Sequence, residues 1–88
     1  MNLVLEIVND KGLHARASAK FVETVERFDA CAHVSRDGLE VAGDSIMGLM
    51  MLAAAKGTSI AVRVEGAEAE PLADALRDLV SRRFGESS

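Results

Sequence analysis

The sequence predicts an α+β fold, a four-stranded antiparallel sheet with three helices gathered on one face, in the order β-α-β-β-α-β-α. Three observations predict it. Stretches of apolar period two alternate with stretches of helical spacing, Gly, Asp and Asn punctuate the boundaries, and 88 residues suffice for one modest core and little more. Residues 1–88 are therefore expected to form a single domain, without internal repeat, linker or low-complexity segment.

Residues 2–8 alternate, with Leu3, Leu5 and Ile7 on one face, and read as a first strand ended by the turn Asn9-Asp10-Lys11-Gly12. From Ala15 to Phe28 the residues Ala15, Ala19, Val22, Val25 and Phe28 recur at helical spacing with Phe21 beside them, which predicts an amphipathic helix. Residues 30–36 and 39–42 form two short strands around Asp37-Gly38, a strong hairpin signal. Residues 45–56 read as a second helix with Ser45 as its N-cap and Gly57 as its stop. Ile60, Val62 and Val64 mark a last strand. Pro71 belongs in the first turn of a third helix, along which Leu72, Leu76, Leu79, Val80 and Arg83 continue toward Phe84. Residues 85–88 are expected to fray.

The middle helix is apolar all round, yet a helix lying on a small sheet cannot bury every side. If Leu49, Leu52 and Ala53 face the core, then Ile46, Met47, Met50 and Met51 fall together as an outer patch, and methionines adapt well to partner surfaces. The competing reading is that these residues are core. Capping alone is sufficient to explain Ser45.

Composition narrows the function. With no Trp, no Tyr and three Phe, the core must be aliphatic. A net charge of −4 argues against a general nucleic-acid binder. No apolar run reaches membrane-spanning length, and the N-terminal residues lack the basic-then-apolar plan of a signal peptide. The lone Cys31 cannot form an internal disulfide, which fits a reducing cytoplasm, and two histidines with one cysteine are too scattered for a metal motif. No metal and no cofactor are expected.

The run Gly12-Leu13-His14-Ala15-Arg16-Ala17-Ser18 sets one histidine and one arginine where a glycine turn becomes a helix. The unpaired N–H groups of a helix start, here those of Ala15, Arg16 and Ala17, favour an anion, and Arg16 adds a permanent cation with a planar donor fork. His14 is the plausible nucleophile, since a neutral imidazole nitrogen could attack a phosphoryl donor. A histidine that satisfies a turn beside a solvated arginine is the alternative. His14 stands outside the preferred capping set, which hints at a purpose other than helix stability.

Gly12-Leu13-His14-Ala15-Arg16, followed by Ser45-Ile46-Met47-Gly48-Leu49-Met50 and Ala55-Lys56-Gly57, resembles the HPr family, the histidine-containing phosphocarriers of the bacterial phosphoenolpyruvate-dependent phosphotransferase system. The likeness runs through essentially the whole chain and implies that family's open-faced β-sandwich. It implies that His14 accepts a phosphoryl group on Nδ1 from phosphorylated enzyme I and passes it to an enzyme IIA domain, and that Arg16 neutralises the phosphoryl charge. It further implies that Ser45 is the serine modified by a kinase/phosphorylase in many members, and that Ile46, Met47 and Met50, with Met51 beside them, are the docking surface. A monomeric cytoplasmic carrier, not an enzyme, is the resulting expectation.

The chain also departs from the family pattern. Ala17 stands where most members have Pro, a mild change that supplies one more N–H. Asp44 replaces a frequent Lys and Met51 a small polar residue, which bears on kinase recognition of Ser45. Glu23 and Glu26 stand where some sugar-system members carry lysines that meet an acidic enzyme I, and they point to a different enzyme I, as in the nitrogen-related branch. Two other classes stay open. An acyl-phosphate hydrolase would need a group to position water, for which only Asn2 and Asn9 are available, and a regulatory module would leave His14 unmodified. Cys31 and His33 receive no role.

Overall fold

The computed structural model describes residues 1–88. Strand β1 spans Asn2–Glu6, helix α1 Ala15–Glu26, β2 Cys31–Arg36, β3 Leu39–Ala42, α2 Ile46–Met51, β4 Ser59–Glu65 and α3 Ala69–Ser81, followed by a single 3₁₀ turn at Arg83–Gly85. The expected element order and antiparallel sheet are present. Spatial order in the sheet is β1-β4-β2-β3, with every neighbouring pair antiparallel.

Period two decides which face of the sheet is covered. Leu3 and Leu5 lie opposite Val62 and Ile60, and Ala32 and Val34 lie opposite Val64 and Val62. All seven are buried, whereas Val4, Ala61 and Arg63 between them are exposed. The buried face meets the helices in one core of 22 apolar residues, in which Phe21 and Phe84 are the only aromatic members. Removing one of its fully buried leucines, such as Leu72 or Leu76, should cost about 2–5 kcal/mol.

Five expectations need correction. In α1 the buried face is Ala17, Phe21 and Val25 with Ser18, Val22 and Thr24, while Ala15 is exposed and Ala19 half-buried. Alanine is too small to declare a face by periodicity, and the large side chains Phe21 and Val25 set the rotation.

Helix α2 does not run to Lys56. It ends at Met51, Leu52 caps it, and Ala53 takes a left-handed φ of 51°. The chain leaves the helix so that the Ala54 carbonyl can accept from the Leu13 N–H at 2.9 Å. Ala54 is consequently buried, and Ala53, expected to face the core, is exposed. A tertiary contact overrides the helix propensity of three alanines.

Beyond α3 the chain does not continue helically toward Phe84. Arg83 and Phe84 both adopt positive φ, 57° and 56°, a costly conformation that turns the Phe84 ring into the core at 1% exposure. Residues 85–88 are not frayed. The Lys20 Nζ donates to the Phe84 carbonyl at 2.6 Å, the Asp10 N–H donates to the Ser88 carbonyl at 3.2 Å, and Glu86 is half-buried.

Candidate functional site

The turn before α1 is built around Gly12. Its φ is +64°, and an added Cβ would lie 2.3 Å from the Ala54 carbonyl oxygen, so conformation and space both require glycine. Leu13, buried, anchors the next residue. His14 then occupies the N-cap of α1 in extended backbone, with φ −75° and ψ −179°, and its side chain makes no capping bond. Ser18 secures the turn instead, since its N–H donates to the His14 carbonyl and its hydroxyl to the Leu13 carbonyl.

The N–H groups of Ala15, Arg16 and Ala17 have no acceptor in the protein. Arg16 is exposed and makes no ion pair. A polar cleft of about 490 Å³ opens at this helix start, lined by Asp10, Lys11, His14, Arg16 and Glu86, with Ser87 and Ser88. A cleft at a helix start, with the Arg16 guanidinium and the His14 imidazole on its wall, suits a tetrahedral anion.

Two residues that sequence reasoning did not connect with His14, Asn9 and Glu86, complete the candidate site. Glu86 reaches back 72 positions, and its Oε2 lies 2.5 Å from the His14 Nε2. Its Oε1 accepts from the Asn9 Nδ2 at 3.1 Å, and the same amide nitrogen donates to the Gly12 carbonyl at 2.9 Å. Asn9 is fully buried, and its Oδ1 has no partner. Burial by itself would push the Glu86 carboxyl up. The hydrogen bonds from His14 and Asn9, with the charges of His14 and Lys11, outweigh that and hold it below its usual range. The Lys56 ammonium, 2.9 Å from Asp10, likewise holds that carboxyl low. Asn9 reads locally as a turn residue and Glu86 as part of a polar tail, and the contact that joins them spans 77 positions.

Ser45 caps α2, accepting from the Gly48 N–H at 3.0 Å. Gly48 lets α2 close on β3, since a Cβ there would meet the Val41 Cβ at 3.0 Å. Leu49 and Leu52 point inward, while Ile46, Met47, Met50 and Met51 are 40, 72, 41 and 65% exposed and form the expected outer patch. The bond from Leu13 to Ala54 joins the His14 turn to the segment that leaves α2. Cys31 and His33 lie elsewhere, on the uncovered face of β2. No group of three His, Cys, Asp or Glu converges as a metal site, and no helix is long and apolar enough to cross a membrane.

Residues 3–82 match the sequence model of the family described as the PTS HPr component phosphorylation site. Phosphocarrier protein HPr of Neisseria meningitidis serogroup A (strain Z2491) is 50% identical over 82 residues, covering 93% of this chain and 92% of that one. The crystal structure of HPr-C-His from Thermoanaerobacter tengcongensis superposes with a TM-score of 0.94 at 38% identity, over 100% of this chain and 99% of that one. An HPr dimer from the same organism superposes with a TM-score of 0.75 at 38% identity, over 93 and 94% of the two chains.

Proposed function

We propose the following from one premise, that the chain belongs to the HPr family and is a phosphocarrier of the phosphotransferase system, not an enzyme: His14 is the phosphoryl acceptor. In the transfer the lone pair of Nδ1 attacks the phosphorus of phosphorylated enzyme I, forming an N–P bond as the donor's own bond to phosphorus breaks. An enzyme IIA domain then removes the group by the same chemistry in reverse. Arg16 and the N–H groups of Ala15, Arg16 and Ala17 neutralise the phosphoryl oxygens, and positioning with electrostatics suffices because such transfer needs little else from a protein. The carrying observation is the N-cap imidazole beside the Arg16 guanidinium on the wall of a cleft at a helix start whose first N–H groups are unpaired.

Ile46, Met47, Met50 and Met51 are the surface for enzyme I and enzyme IIA in turn, and Ser45 is the target of a kinase/phosphorylase. Glu23 and Glu26 are both exposed on α1, which favours an enzyme I that does not present an acidic face, as in the nitrogen-related branch. We read residues 1–88 as one domain, working as a cytoplasmic monomer without nucleic-acid or membrane contact.

The test is labelled phosphoenolpyruvate with enzyme I from the same organism. The protein should gain one acid-labile phosphoryl group, and His14→Ala should gain none. Label persisting in that variant would overturn the assignment; turnover of an acyl phosphate would support a hydrolase, and inertness of the parent protein a regulator.

A further inference from the structure

The Glu86 carboxylate is placed with more structure than a terminal tail requires. The left-handed turn at Arg83 and Phe84 drives the Phe84 ring into the core, and Lys20 holds the Phe84 carbonyl at 2.6 Å, which fixes the chain two residues before Glu86. Asn9, fully buried, grips Oε1 while its other amide hydrogen is committed to the Gly12 carbonyl, so it cannot swing away. Only Oε2 is left, and it meets Nε2 of His14.

We propose that Glu86 is a positioning residue for His14, selecting the tautomer protonated at Nε2 and so presenting Nδ1 as the phosphoryl acceptor, with Asn9 as its buried support. An ionised carboxylate only accepts hydrogen bonds, so the ring nitrogen facing it must carry the proton. A neutral imidazole has one N–H, and the lone pair is therefore on Nδ1, for which the protein supplies no hydrogen-bond partner. When the N–P bond forms, the proton stays on Nε2 and no proton must leave. The ring then carries a positive charge, which faces the Glu86 carboxylate. Handing the phosphoryl group on restores the same tautomer.

The inference rests on the carrier reading, and the experiment separates the two. Nitrogen-15 correlation spectra of His14, taken where the ring is neutral, should show only the Nε2–H form in the parent protein. Glu86→Ala should populate the Nδ1–H form, and its loading by enzyme I at saturating donor should fall roughly tenfold with the apparent KM for the carrier little changed. Glu86→Gln keeps one acceptor oxygen for the two donors Asn9 and His14 and should fall between. A wild-type tautomer and wild-type loading in Glu86→Ala would overturn the proposal, whereas failure of the parent protein to be loaded would overturn the carrier reading and leave the tautomer measurement standing.

Discussion

Arg16 and His14 differ in what their neighbours ask of them. His14 is tied to Glu86, whereas Arg16 points into the cleft with no carboxylate on its guanidinium, so its charge and donor fork remain available to an incoming anion. Arg16→Glu reverses that charge at the position where negative charge accumulates during transfer. Removing one preorganised donor from such a site typically costs at least a hundredfold in rate, and a loss of about that size is expected in the loading of His14. Because Arg16 is exposed and unpaired, thermal unfolding should barely move. Unchanged transfer kinetics in this variant would remove Arg16 from the mechanism. A collapsed melting temperature would show instead that its place is structural.

At the scale of elements, α2 is a short helix whose start carries one polar group beside an apolar surface. Ser45 satisfies the Gly48 N–H, and Asp is as good a cap by type, so Ser45→Asp should leave stability within a few tenths of a kcal/mol. The same change sets a negative charge at the edge of the patch formed by Ile46, Met47, Met50 and Met51, and it should slow loading by enzyme I through weaker docking. Equal loading kinetics in the parent protein and in Ser45→Asp would argue against a regulatory serine. The start of α2 was legible in the sequence because a cap is a local chemical event. Its end was not, because Ala53, Ala54 and Ala55 are good helix formers and the reason they unwind is a carbonyl required by Leu13, some forty positions earlier. The same division runs through the site: Gly12, His14 and Arg16 declare themselves by spacing, whereas Asn9 and Glu86 acquire meaning only from each other. The strands were readable for the opposite reason, since Leu3, Leu5, Ile60, Val62 and Val64 need only alternate to find the covered face.

For the molecule as a whole, residues 86–88 meet the turn before α1 at the candidate site, and two carboxylates take part in that junction. Glu86 joins the tail to His14 and Asn9, and Asp10 ties the turn to Lys56 while its N–H holds the Ser88 carbonyl. Both carboxyls lie below their ordinary values of 4.5 and 3.8 in the folded protein. A carboxyl whose folded value is depressed binds protons more readily when the chain is unfolded, so its contribution is present above the ordinary value and is lost as pH falls through the folded one. The parent protein should therefore melt a few degrees above Glu86→Ala at about pH 6, and that gap should narrow steadily below about pH 4.5 as the carboxylate is protonated. The protection of the Glu86 amide, relative to its intrinsic exchange rate at each pH, should fall over the same range, because the tail loses its hold on Asn9 and His14 before the core opens. A gap that stays constant down to about pH 3 would mean that the Glu86 contact contributes nothing as an ionised group, and the tail would then be held by Phe84, the Lys20 bond to its carbonyl and the backbone bond to Asp10.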